Sequence, residues 1–245
     1  MPRVRTGPLT GLIVQLVLLE TLAKTVGLDR PGWFAGTGYG IATCAALSLG
    51  LGRSGAAGLA PADRVTLARC TLVGCVTALV ADSFHRTVPV VLLVALATAA
   101  LSLDWVDGQV ARRTGTATEL GARFDMEVDA SLLLVLSAYA AGTVGVWALS
   151  IGLMRYAFVL AMWVLPWMRG TLPPRYWRKV VAATQGIVLV AATSGVPPRA
   201  VTVAALAGAV VLLVESFGRD VCWLWRHRLV AASDVGRGRR ASVPA

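Results

Sequence analysis

Long apolar stretches alternate with short polar, glycine-rich or proline-rich segments along almost the whole chain. Most of the stretches are close to the roughly 20 residues that an α-helix needs to cross a bilayer. The segments between them contain helix-ending residues, such as Asp29–Gly32 and the proline pairs at 173–174 and 197–198. The pattern predicts eight membrane-spanning helices, at about residues 8–28, 33–51, 66–84, 88–107, 121–147, 150–168, 180–195 and 200–218.

The composition changes this picture little. Of the 245 residues, 56% are hydrophobic and 15% are charged, whereas a soluble domain carries about a quarter charged residues. Helices satisfy their own backbone hydrogen bonds in lipid, so we expect an all-α, polytopic membrane helical bundle. The four cysteines form no C-x-x-C pair, which gives little support to a zinc or disulfide framework.

The positions of the basic residues predict the orientation. The net charge is +10, and its arginines and lysines lie mostly between the apolar stretches, where they orient the chain and meet anionic membrane lipids, so we expect no nucleic-acid partner. With both termini inside, eighteen of the 23 basic residues are cytoplasmic, as the positive-inside rule requires. This topology places residues 104–129 at the cytoplasmic face of a cell membrane. The excess of Arg over Lys, with abundant Ala, Val and Gly, is compatible with a GC-rich bacterial genome.

A group of acids and glycines lies at the junction of the fourth and fifth predicted spans. It follows the pattern D-x2-D-G-x2-A-R-x8-G-x3-D-x3-D, with the fixed positions Asp104, Asp107, Gly108, Ala111, Arg112, Gly121, Asp125 and Asp129. The spacing puts each half of the pattern on one face of its helix. Four converging carboxylates would repel one another unless cations neutralised them. Such hard oxygen ligands suit Mg²⁺ or Mn²⁺, and four of them suit a site with two ions.

The other residues of the pattern suit a phosphate ligand. Gly108 and Gly121 would let a phosphate approach the backbone, and Arg112 offers a planar guanidinium to a diphosphate. A solvated helix end would explain any one of the acids alone, but ionisable residues near an apolar span are usually functional as a set. Glu127 lies off the face of Asp125 and Asp129, so we do not expect it to bind metal.

Other charged residues in the apolar spans have simpler explanations. Glu20 and Lys24 are four residues apart, which predicts a local ion pair. Asp82 and Glu215 either face a polar cavity or lie at helix ends.

The pattern resembles the signature of the CDP-alcohol phosphotransferase family, the CDP-alcohol phosphatidyltransferases, which are integral membrane enzymes of phospholipid biosynthesis. The resemblance implies a six-helix core at residues 59–230, which leaves two extra helices in residues 1–58. The glycines and arginines of residues 231–245 predict a flexible basic tail. The resemblance implies transfer of a phosphatidyl group from a CDP-linked donor, such as CDP-diacylglycerol, to an alcohol with release of CMP. We expect residues 1–58 to pack beside the bundle or to help assemble a homodimer.

The resemblance also assigns roles to the signature residues. The CDP site would be lined by Asp104, Gly108, Ala111, Arg112 and Gly121. The metal ligands would be Asp104, Asp107, Asp125 and Asp129, and Asp129 would also be the base for the acceptor hydroxyl.

The chain departs from the family pattern beside the signature. Many members carry Arg or Lys directly after the last signature aspartate, where this chain has Ala130. Many also carry a Pro-Asn-x-x-Thr-x-x-Arg stretch, of which only Thr66 and Arg69 match here. These flanks help shape the acceptor side, so glycerol 3-phosphate, inositol phosphate, phosphatidylglycerol and other alcohols all stay open as acceptors.

Two alternatives remain beside this interpretation. The basic residues Arg169, Arg175, Arg178 and Lys179 either attract a phosphorylated acceptor or only orient the chain. From another functional class, a transporter or membrane scaffold could retain the bundle without catalysis.

Overall fold

The computed structural model describes residues 6–54, 61–114, 118–170, 172–173 and 175–240. In these residues the chain forms eight α-helices and no β-strand, which confirms the predicted all-α bundle. The helices are α1 (Thr6–Val26), α2 (Arg30–Ser54), α3 (Pro61–Ser83), α4 (Val90–Thr114), α5 (Glu119–Val144), α6 (Leu149–Val164), α7 (Tyr176–Ser194) and α8 (Arg199–Arg240). Short 3-10 helices, Val146–Ala148 and Pro166–Arg169, flank α6. Because α8 runs to Arg240, it includes much of the segment predicted as a tail.

Six of the described helices are long and apolar enough to cross a bilayer, which makes the chain a multi-pass membrane protein. They are α1, α2, α3, α5, α6 and α8. The apolar part of α4 is shorter, Val90–Val106, and α7 begins with a polar turn that contains Arg178 and Lys179. The count of eight crossings therefore stays a prediction for α4 and α7.

The central helix of the bundle is α3, which packs against α1, α2, α4 and α5. Its Val73, Val76 and Leu79 are fully buried and meet the buried Leu93 of α4 and Leu132 of α5 in one core cluster. On the other side of the bundle, α7 packs against α4, α5 and α8, and α6 packs against α5. The outer helices bury only a minority of their residues and leave the rest for lipid.

Asp82 explains how the N-terminal helices attach to this core. It lies fully buried at the end of α3, and its carboxylate accepts the backbone N–H groups of Asp29 and Gly32 at 2.8 Å each. Arg86 donates to the same carboxylate at 3.2 Å and to the carbonyl oxygen of Val26 at 3.0 Å. Of the two explanations offered for Asp82, the structure therefore supports the helix end, because the carboxylate holds the turn between α1 and α2.

The remaining acids of the apolar spans also have partners. Glu20 and Lys24 form the predicted ion pair at 3.1 Å. Glu215 accepts the indole N–H of Trp177 at 3.0 Å and pairs with Arg219. Both acids are thus explained by contacts within or between neighbouring helices.

Candidate active site

Three signature acids meet where the last turns of α4 approach the first turns of α5. One carboxylate oxygen from each of Asp104, Asp125 and Asp129 lies within 4.8 Å of the others. All three residues are half-buried. The two helix faces that the spacing predicted are therefore brought together, and they meet at one end of the bundle.

A buried arginine from α3 binds all three acids. Arg69 is fully buried, and its Nη1 lies 2.6 Å from Oδ1 of Asp104 and 2.8 Å from Oδ1 of Asp125. Its Nη2 donates to Oδ1 of Asp129 at 2.8 Å and to the backbone oxygen of Asp125 at 3.2 Å. Three carboxylates therefore share one guanidinium.

This role of Arg69 was not predicted from the sequence, in which Arg69 is one of the eighteen basic residues placed on the cytoplasmic side. A signal was present, since Thr66 and Arg69 are the two positions that match the Thr-x-x-Arg part of the family stretch. A fully buried arginine is costly unless it is paired, and the three acids supply the pairing.

Gly121 marks a close approach between α5 and α3. A Cβ atom at this position would overlap Oδ1 of Asp63 and would also crowd Oγ1 of Thr118. Thr118 caps α5 by accepting the backbone N–H of Gly121 at 2.9 Å. The space that this glycine leaves is therefore next to a carboxylate of α3. Asp63 is buried, stands where the family stretch carries its Asn, and was not predicted as a site residue.

Several predicted site residues are described only in part. The backbones of Asp107, Ala111 and Arg112 belong to α4, but their side chains lie outside the described residues. Gly108 lies one helical turn after Asp104 and is half-buried.

The four basic residues near α7, predicted to attract an acceptor or to orient the chain, differ in their surroundings. The side chain of Arg169 lies outside the described residues. Arg178 lies 3.6 Å from the buried Asp220 of α8 and donates to the carbonyl oxygen of Pro173. Arg175 and Lys179 are exposed. Arg178 is thus engaged in joining α7 to α8.

Glu127 lies outside the acid cluster. It pairs with Arg155 of α6, on another side of α5. That Glu127 is not a metal ligand stays a prediction.

The acid cluster fits a divalent cation. Mg²⁺ and Ca²⁺ bind oxygen ligands at about 2.0–2.6 Å, so oxygens around one ion lie up to about 5 Å apart. The three carboxylate oxygens lie within that spacing, and the carboxylates outnumber the one guanidinium that binds them. The residues present therefore suit a hard metal ion such as Mg²⁺ or Mn²⁺.

Comparison with known proteins assigns the chain to a family. The family model described as CDP-alcohol phosphatidyltransferase matches residues 59–215, from the segment before α3 into α8. The matched part contains all three clustered acids and Arg69, whereas α1 and α2 precede it. Searches of curated proteins and of solved structures give no significant match. The match covers well over half of the chain, and this multi-pass helical protein belongs to the CDP-alcohol phosphatidyltransferase family.

Proposed function

We propose that the protein transfers a phosphatidyl group from a CDP-linked lipid, such as CDP-diacylglycerol, to an alcohol and releases CMP. The convergence of Asp104, Asp125 and Asp129 on the buried Arg69, within the part that matches the family, is the observation that carries this proposal. A solvated helix end would not need a fully buried guanidinium bound to three separate acids.

In this proposal the signature acids have two roles, which are to bind the metal ions and to accept a proton. Asp104, Asp107, Asp125 and Asp129 would hold two divalent ions, Mg²⁺ or Mn²⁺. When bound, the metal would offset the negative charge that develops on the transferring phosphoryl group.

Asp129 has the additional role of general base. Its carboxylate takes the proton of the acceptor hydroxyl while that oxygen bonds to the lipid-side phosphorus. The bond between this phosphorus and the bridging oxygen breaks, and CMP leaves with the electron pair. Nη2 of Arg69 donates to Oδ1 of Asp129 at 2.8 Å, which fixes the orientation of this carboxylate.

The rest of the signature would bind the donor. Gly108, Ala111 and Gly121 keep the wall of the CDP site close to the backbone, and Arg112 provides a two-pronged contact to the diphosphate. The distribution of basic residues supports a site that faces the cytoplasm, the compartment in which nucleotide-linked donors are found.

The acceptor remains open among phosphorylated and lipid alcohols. Two features set this chain apart on the acceptor side: Ala130 follows the last signature aspartate, and Asp63 replaces the Asn of the family stretch. Glycerol 3-phosphate, inositol phosphate and phosphatidylglycerol are therefore all included in the test.

The test is a CMP-release assay on purified protein with CDP-diacylglycerol, Mg²⁺ and this panel of acceptors. We expect CMP release with at least one acceptor, and its loss in Asp104→Asn. Glu20→Gln is the control, because it neutralises an exposed acid on α1 that is paired with Lys24. A folded wild-type protein that releases no CMP with any acceptor or CDP-linked lipid would favour the alternative of a transporter or scaffold.

A further inference from the structure

A cavity of about 390 Å³ lies between α2 on one side and α5 and α6 on the other. This volume is within the range of small-molecule and lipid sites. Tyr39, Ala42 and Ala46 of α2 face Phe124 and Val128 of α5, with Tyr156 of α6 beside them. We call this cavity the α2–α5 groove. Its walls are almost entirely apolar.

Two contacts between α2 and α5 involve residues at the ends of this lining. At one end, the hydroxyl groups of Tyr39 and Ser131 are hydrogen-bonded at 3.0 Å. At the other end, Gly50 lies so close to the side chain of Leu120 that a Cβ atom would overlap it. The lining residues of α5 run from Leu120 to Ser131, over which the helix rises about 16 Å at 1.5 Å per residue.

This length corresponds to one leaflet of a bilayer. A hydrocarbon core is about 30 Å thick, so a 16 Å groove matches the depth of one acyl chain. Ala42 and Ala46 are exposed and small, and they leave the groove open to the side. Water would find few hydrogen-bond partners on such walls, so a lipid chain is the natural occupant.

The charges at the Gly50–Leu120 end favour an anionic headgroup. Arg123 lines the groove one turn after Leu120, and Arg53 lies one turn after Gly50 at the end of α2. The acid in the lining, Glu127, is paired with Arg155. Two arginines of the described residues therefore lie at this end, and Arg binds phosphate well.

The groove is separate from the acid cluster. Successive residues of an α-helix are rotated by about 100°, so Phe124 and Val128 point about a third of a turn away from Asp125 and Asp129. One wall comes from α2, which lies outside the part that matches the family. An occupant would therefore contact the N-terminal helices rather than the metal ligands.

We infer that the α2–α5 groove holds one acyl chain of an anionic phospholipid, which stays bound as a structural ligand and is not the substrate. The bound chain would join α2 to α5 and α6 where these helices do not touch. This inference does not rest on the proposed function.

The test is native mass spectrometry of delipidated protein incubated with phosphatidylglycerol, or with phosphatidylcholine of the same chains. The wild type should retain one phosphatidylglycerol and little phosphatidylcholine. Ala46→Trp should reduce retention by about tenfold or more, because the indole fills the groove. The matched control is Ala45→Trp, one position along α2, where the residue is exposed but does not line the groove.

Further measurements test the binding site and the headgroup preference separately. If size-exclusion elution shows that Ala46→Trp does not fold, Ala42→Phe takes its place and should also reduce the retention of phosphatidylglycerol. Arg123→Gln should bring retention of phosphatidylglycerol down to that of phosphatidylcholine. Equal retention by the wild type and both groove variants would overturn the site, and equal retention of the two lipids by the wild type would overturn the anionic headgroup. CMP release by Ala46→Trp, measured separately, should be unchanged per folded molecule.

Discussion

Arg69 shows how one side chain can hold three like charges together. Carboxylates that converge within 4.8 Å repel each other unless a positive charge lies among them. The guanidinium suits this place because its planar fork presents several donors in fixed directions, one to each acid. A bound metal ion would neutralise the same acids. The guanidinium of Arg69 and the metal ion would therefore both reduce the repulsion among the three carboxylates.

The first prediction concerns Arg69→Met, which keeps the length of the side chain and removes its charge. Breaking a buried ion pair costs about 3–5 kcal/mol, and we expect the lower end because the acids are half-buried and partly screened by water. Added Mg²⁺ should raise the Tm of Arg69→Met more than that of the wild type, because the ion replaces the lost charge.

The control for this prediction is Arg219→Met, which removes an exposed arginine paired with Glu215. Exposed pairs contribute about 0–1 kcal/mol, so its Tm should change little with or without Mg²⁺. If Mg²⁺ raised the Tm of Arg69→Met no more than that of the wild type, the acids would not form a shared cation site.

The second prediction concerns Gly121→Ala. The added Cβ would overlap the carboxylate of Asp63 and force α3 and α5 apart, and such overpacking costs about 1–3 kcal/mol. Thermal unfolding should show the loss, and the loss should be much smaller when Gly121→Ala is compared with Gly121 in an Asp63→Ala background. Gly142→Ala on the same helix is the control, because a Cβ there meets nothing within 4 Å. A Gly121→Ala protein as stable as Gly142→Ala would contradict the close approach.

At the scale of helices, the turn between α1 and α2 is fixed by a side chain from α3. Asp82 accepts two backbone N–H groups at the start of α2, and Arg86 binds both this carboxylate and the end of α1. The three helices are thereby joined at the end of α3, with the acid cluster near its beginning.

The third prediction follows from this arrangement. Asp82→Ala leaves buried backbone donors without their acceptor, which costs about 1–3 kcal/mol. We expect a lower Tm, together with faster hydrogen exchange at the start of α2. Asp29→Ala is the control, because Asp29 is an exposed partner of the same Arg86 at 3.6 Å. Equal effects of the two substitutions would show that the buried carboxylate does not hold the turn.

The existence of the helices and the faces of the signature could be predicted from sequence, because hydrophobic period and residue spacing are local properties. The residues that contact those faces could not be predicted from sequence. Arg69 resembles an orienting charge in sequence, and only the packing of α3 against α4 and α5 brings it to the acids. The buried role of Asp82 and the α2–α5 groove likewise depend on contacts between residues about 50 or more positions apart.

At the scale of the whole molecule, the acid cluster and the turn between α7 and α8 should lie on opposite sides of the membrane. The fourth prediction tests this in a protein without its native cysteines. Thr118→Cys, at the start of α5, should react with an impermeant thiol reagent only from the cytoplasmic side. Val196→Cys, which is highly exposed between α7 and α8, should react only from outside. The reverse result, or labelling of both positions from one side, would contradict the eight-span topology.

The most direct test of the central claim is CMP release by Asp129→Asn, with saturating Mg²⁺, CDP-diacylglycerol and an active acceptor. Asn keeps the shape of the side chain but cannot take the hydroxyl proton, and the loss of a positioned general base typically costs about 10²–10⁴ in rate. We predict a fall of that size while measurable donor binding survives. Near-normal turnover in Asp129→Asn would contradict the account, because the acceptor would then be deprotonated without Asp129.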